Sequence, residues 1–223
     1  MAFPLTHLVV AYQVAPYFNI TNEKDLAQFL LGATAPDAVH FRKSLNVDQK
    51  ENLGPTKKTS HLCPISEEKW GQVTDNKGWV AQVVDFVNSH PGNIFVKGIG
   101  VHVLTDIVNN KGLWHYFRTH YPEEAAKGYT SKYYDDLRTI DFAIYHNLYK
   151  GTAIERLYKA ATPVAIPGLV DKTELGDIQH NLAYEQYANA PKEVDVNTCT
   201  LVTYPQMMDF IKEASAFCID TLK

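Results

Sequence analysis

The sequence predicts an all-α fold, a multi-helix bundle of roughly eight helices forming one domain across residues 1–223, and three observations lead there. Apolar residues recur at three- and four-residue intervals in several stretches. Ser, Thr, Asn and Pro stand where helices should open, and Gly or Pro where they should close. No series of alternating apolar and polar residues marks out strands.

Taken in order, Leu8, Ala11, Tyr12 and Ala15 give a first helix over residues 5–15, with Thr6 as its cap and His7 in its first turn. Thr21 or Asn22 caps a second through Leu26, Phe29 and Leu30, which Gly32 and Pro36 terminate, so Asp37 lies just beyond a helix end. Residues 37–65 are polar, contain Gly54 and Pro55, and show no sustained period, which predicts a long loop. Ser66 introduces a helical stretch through Trp70, Trp79, Val83, Phe86 and Val87, with a break near Gly71 or Gly78. After "HPGN" at 90–93, the segment "GIGVHVLTDIVNN" at 98–110 reads as a buried helix. Pro122 opens a short helix that Gly128 ends, and Thr130 or Ser131 caps a longer one carrying Tyr134, Arg138, Asp141, Tyr145 and Leu148 on one stripe. Thr152 and Glu155 match a capping box ahead of a helix through Leu157 and Ala160. A Pro- and Gly-bearing connector leads to a helix-compatible stretch at 174–189. The segment "APKEVDVNTCTLVTY" then includes a short extended piece, and Pro205 opens a final helix with Met208, Ile211, Ala214, Phe217 and Cys218 as its apolar stripe.

Composition narrows the function classes. Lys and Arg total 21 against 25 Asp and Glu, a formal net charge of −4, so there is no basic footprint for a long nucleic acid. The three cysteines Cys63, Cys199 and Cys218 form no CxxC pair and argue for reduced thiols rather than a disulfide framework. The start "MAFPLTHLVVAYQVAPYF" lacks the basic region of a signal peptide, and no run approaches the roughly 18 apolar residues of a spanning helix. The expectation is a cytoplasmic protein without a transmembrane segment.

His102 and Asp106 are four residues apart, so on a helix their side chains leave one face about 6 Å apart along the axis, a spacing that a metal ion bridges. His7, Asp37, His40, His61, His115, Asp141 and His146 join them at predicted element edges. Imidazole and carboxylate are the ligands zinc takes when thiolates are lacking, and bundles build such sites from inward-facing side chains. Each also has a plain structural use: His7 as a helix-start residue, Asp37 as a turn former, His61 as a loop residue, Asp141 as a partner of Arg138. An adjacent His-Asp dipeptide, the mark of HD-type phosphohydrolases, does not occur.

The segments "THLVVA", "FLLGATAPDAVHF", "KTSHL", "GIGVHVLTDI" and "YDDLRTIDFAI", in that order over residues 4–148, resemble the zinc-dependent phospholipase C family. The resemblance implies an all-α phospholipase C/P1 nuclease-like fold. It implies metal ligation by His7, Asp37, His61, His102, Asp106 and Asp141, enough for two zinc ions; within that set Asp106 is the candidate bridging carboxylate and Asp37 the candidate to orient or deprotonate the attacking water. Secreted members add their N-terminal tryptophan and a further HxxxE pair. Here Met-Ala-Phe-Pro precedes the first helix, and Asp141 is followed by Tyr145 at the fourth position, so a third metal position is not supported and His40, His115 and His146 stay secondary. Zinc lowers the pKa of a bound water from about 15.7 toward 7, so the implied activity is hydrolysis of a small phosphoester or a phospholipid head group. Lys43, Lys50, Lys57 and Lys58 of the long loop would steer an anionic head group, and tyrosines 129, 133, 134, 145 and 149 would line a pocket or fill the core. The alternative is a non-catalytic metal-binding or interaction protein that retains the fold.

Overall fold

The computed structural model describes residues 3–51, 53–64, 68–69 and 71–223. Among these residues the chain forms α1 Pro4–Val14, α2 Glu23–Gly32, α3 Val47–Glu51, α4 Gly54–Ser60, α5 Asn76–Asn88, α6 Ile94–Lys111, α7 Leu113–His120, α8 Pro122–Ala126, α9 Lys132–Ile144, α10 Ala153–Ala160, α11 Lys172–His180 and α12 Tyr204–Leu222. Strands are absent among the described residues apart from an isolated antiparallel bridge between Ile166 and Val170. The all-α expectation holds, with more and shorter helices than the sequence pattern suggests.

α6 is the axis of the bundle. It is apolar all round and buried along most of its length, as a helix must be when neighbours cover every face. α1, α2, α5, α7 and α12 pack against it. The buried apolar residues form one cluster running from Leu5 of α1 to Cys218 of α12. Cys63, Cys199 and Cys218 are buried free thiols. No helix among the described residues is long and apolar enough to cross a membrane.

Glycine sets how closely α2 and α6 approach. A Cβ on Gly98 would lie 2.2 Å from the Phe29 carbonyl oxygen, and one on Gly32 would lie 2.1 Å from the Phe95 carbonyl oxygen. The two backbones therefore touch where both side chains are missing.

Several local expectations change. α1 starts at Pro4, so Thr6 is inside the helix and buried rather than capping it. Asn22 is the cap of α2, accepting from the Asp25 amide. The expected loop at 37–65 is largely helical: a 3-10 helix spans Ala35–Phe41, and Pro55 occupies the first turn of α4, where a missing N–H is harmless. The start of the expected Ser66 helix, including Trp70, lies outside the described residues. α5 begins after Asp75, whose carboxylate accepts the Gly78 amide, so Gly78 opens this helix instead of breaking it. The expected 98–110 helix starts earlier, capped by Asn93, and α7 is an additional helix. Thr152 forms no capping box, because the Glu155 carboxylate takes the Gly151 amide and the Lys159 ammonium. Capping boxes form instead at Asp171 with Glu174 and at Thr203 with Gln206. In place of an extended piece near the C-terminus there is a 3-10 turn at Val196–Thr198.

Candidate metal centre

Five sequence-predicted residues converge where α1, α6, the Ala35–Phe41 turn and the end of α4 meet. α6 supplies His102 and Asp106 from successive turns of one face, with His102 Nε2 3.8 Å from Asp106 Oδ2. α1 supplies His7, whose ring stacks on that of His102 with centroids 3.7 Å apart. Asp37 comes from the 3-10 turn and His61 from the C-cap of α4. The liganding atoms of His7, Asp37 and His102 lie within 4.8 Å of one another, as do those of His61, His102 and Asp106, so His102 is common to both groups.

The surrounding backbone decides which ring nitrogen faces inward. His102 Nδ1 lies 2.7 Å from the Ala33 carbonyl oxygen at the C-cap of α2, and His61 Nδ1 lies 3.0 Å from the Lys57 carbonyl oxygen one turn earlier in its own helix. A carbonyl only accepts, so His102 Nδ1 carries the proton and its Nε2 presents a lone pair; His61 Nδ1 also lies 2.9 Å from the Ser60 hydroxyl, which can donate or accept, and its Nε2 faces the same point. Those two Nε2 atoms are 3.2 Å apart. A shared proton or a cation between them accounts for two imidazole nitrogens at that distance. Trp79 Nε1 donates to the His61 carbonyl at 2.8 Å and pins that residue's backbone from α5.

The carboxylates face the same point. Asp37 Oδ1 and Asp106 Oδ2 are each 3.5 Å from His61 Nε2, and Asp106 Oδ1 is 3.6 Å from His7 Nε2. All of these separations exceed normal hydrogen-bond reach. His7 is 0% exposed, and neither of its ring nitrogens has a hydrogen-bond partner. A buried polar group left in that state is costly and calls for an explanation such as an ion.

Protonation states match the geometry. Burial lowers the pKa of His7, and burial followed by the neighbouring His7 takes His102 down to about 3, so both rings are neutral near pH 7. Burial alone would raise the Asp37 carboxyl, but the Lys57 ammonium and the adjacent imidazoles outweigh it and hold the group well below the ordinary carboxylate value. Asp106 is also lowered, burial opposing and His7 and His102 prevailing. Neutral imidazoles with ionised carboxylates are the forms that bind a metal ion, so the donor set fits a divalent cation.

Asp141, the sixth expected ligand, belongs to neither group. It is buried on α9, where its Oδ2 accepts the Tyr187 hydroxyl at 2.5 Å, and burial pushes its pKa up to about 7. Helical spacing alone does not say what a face meets, and here Asp141 turns toward Tyr187. His40 sits at the rim, its side chain 38% exposed with Nε2 3.9 Å from Asp37 Oδ1. His115 is exposed, and His146 Nε2 pairs with the Pro191 carbonyl. Of the four lysines expected to steer an anion, Lys43 pairs with Asp177, the side chain of Lys50 lies outside the described residues, Lys57 is buried beside Asp37, and Lys58 is half-buried. Tyr133 is core, stacked on Phe117, whereas Tyr129 is exposed.

The supporting groups, Ala33, Ser60 and Trp79, were not marked by sequence. A carbonyl has no residue signature, although the Gly32–Ala33 helix end ahead of "APD" is a usable hint. Compared with known proteins, the chain matches no family model, no curated protein and no solved structure.

Proposed function

We propose that the chain is a metal-dependent hydrolase of phosphoester bonds, phospholipase C-like in its chemistry, with zinc held by His7, Asp37, His61, His102 and Asp106. The observation that carries this reading is the pair of inward-facing Nε2 atoms 3.2 Å apart, each ring backed by a carbonyl at its Nδ1 and flanked by two ionised aspartates. Metal ligands commonly have their second nitrogen tied in this way. Divalent ions there supply Lewis acidity, lowering the pKa of a coordinated water and neutralising charge on a phosphoester. Asp106, at the base of the site, would hold the metal, and Asp37, at its more exposed edge, would orient or deprotonate the attacking water.

The near-complete burial of the three histidines also suits a second reading, a metal-binding protein without turnover. Metal analysis of protein purified without chelator, followed by assay on a generic phosphodiester, a phosphomonoester and phosphatidylcholine, separates the two. About two zinc equivalents with turnover is the expected result. Bound metal with no turnover on any substrate selects the binding protein, and protein that holds no metal sinks both.

The proposed division of labour makes its own prediction. Asp106→Ala should lower metal content, whereas Asp37→Asn should impair kcat more than metal retention. Equal metal content and equal activity in the two variants would refute it.

A further inference from the structure

Lys57 occupies an unusual place for a lysine. It is 2% exposed, yet its ammonium lies 3.6 Å from Asp37 Oδ1, at the rim of the five-residue cluster. Lysine is almost never this buried unless its charge has a partner or a task. Its backbone also serves the cluster, since the Lys57 carbonyl accepts from His61 Nδ1 at 3.0 Å and from Ser60 Oγ at 3.2 Å. The i, i+4 spacing of Lys57 and His61 in α4 puts ammonium and imidazole on one face.

The direction of access points to the same edge. Of the five clustered residues Asp37 is the most exposed, at 7%, while His7, His61 and His102 are fully buried. The half-exposed His40 flanks Asp37 on the solvent side. Among the described residues, then, Asp37 is the cluster's edge toward solvent, and its negative charge alone would repel an anion. Lys57 offsets that charge with an ammonium 3.6 Å from Asp37 Oδ1.

We propose that Lys57 is the anion-holding residue of the site, donating to a non-bridging phosphoryl oxygen of the bound phosphoester from beside Asp37. This rests on the phosphoester hydrolase reading and narrows it to substrates whose reacting group is itself anionic. A fixed ammonium aimed at that oxygen stabilises the charge that accumulates there in the transition state without needing to reorganise. Burial strengthens the interaction, because little water is present to screen it.

The test is equilibrium binding of inorganic phosphate to the zinc-loaded full chain by calorimetry, with metal content measured on the same samples of wild type, Lys57→Gln and Lys57→Arg. Wild type should bind phosphate, Lys57→Gln should bind it at least about tenfold more weakly at unchanged metal content, and Lys57→Arg should stay within about threefold of wild type. Wild-type phosphate affinity in metal-replete Lys57→Gln overturns the assignment and leaves the hydrolase reading standing. Loss of metal from Lys57→Gln also overturns it, making Lys57 a support for Asp37 and His61. A metal-loaded wild type that neither binds phosphate nor turns over any phosphoester removes the underlying reading itself. Should Lys57→Gln fail to fold, nitrogen NMR of the Lys57 ammonium in the wild-type protein decides the matter: a shift on adding phosphate supports the assignment, and an unmoved signal overturns it.

Discussion

Gly98→Ala is expected to destabilise the protein by about 3 kcal/mol or more and to deplete its metal, through a single added methyl group. That methyl would stand 2.2 Å from the Phe29 carbonyl oxygen and 3.0 Å from the Ala33 amide nitrogen, both backbone atoms of the α2 end that no rotamer change can move aside. α2 and α6 must separate, and a close-packed core has no slack to absorb the shift. His102 is one turn beyond Gly98, and its Nδ1 is held by the Ala33 carbonyl at 2.7 Å, so separation of the helices also loosens the imidazole shared by both metal-competent groups. Urea denaturation and metal analysis read the two effects. Gly100→Ala is the control: its added Cβ meets the Val87 and Leu222 side chains, which can repack, and helix propensity returns roughly 1 kcal/mol of the penalty. Equal losses in both variants would show that helix contact through Gly98 is not what holds His102.

Asp141→Asn is expected to stabilise the protein at pH 8 by about 2–4 kcal/mol and to leave its metal content unchanged. Burial raises the Asp141 pKa from 3.8 to about 7, so the folded state keeps its proton at pH values where the unfolded chain has released it. The sign follows. The contribution of Asp141 to stability is fully present below about pH 4 and is lost as pH rises through about 7, above which the fold carries a buried carboxylate. Asparagine is neutral throughout, and its carbonyl oxygen can accept the Tyr187 hydroxyl as Asp141 Oδ2 does at 2.5 Å. The gain should shrink toward zero near pH 4, as followed by denaturation across the range. A variant that loses metal, or that is less stable at pH 8, would instead make Asp141 a ligand, as the sequence resemblance implies.

Much of the candidate site was legible because its chemistry is written in short helical spacings. His102 and Asp106 are four apart in an apolar stretch, and His7 falls in the first turn of a helix whose apolar period is clear. Asp37 follows a Gly and Pro stop, so its place beyond the end of α2 was readable too. Lys57 was visible only as one of four loop lysines, because Gly54 and Pro55 resemble a break when read locally and prove to be the opening turn of α4. The surroundings of Asp141 were not legible for a related reason. A stripe of residues at helical spacing says which side chains share a face, and nothing about what that face meets.

By itself, then, the sequence determined the all-α class, the approximate helix order, and the pool of imidazoles and carboxylates from which a site can be drawn, because periodicity, caps and residue chemistry are local properties. Only the tertiary structure decided which five of those side chains meet, which nitrogen of His61 and His102 faces inward, that Lys57 joins them, and that Asp141 faces Tyr187. Those outcomes depend on backbone carbonyls and on the contact of two glycines from helices more than sixty residues apart in the chain. Long-range packing of that kind leaves no period in the sequence to be read.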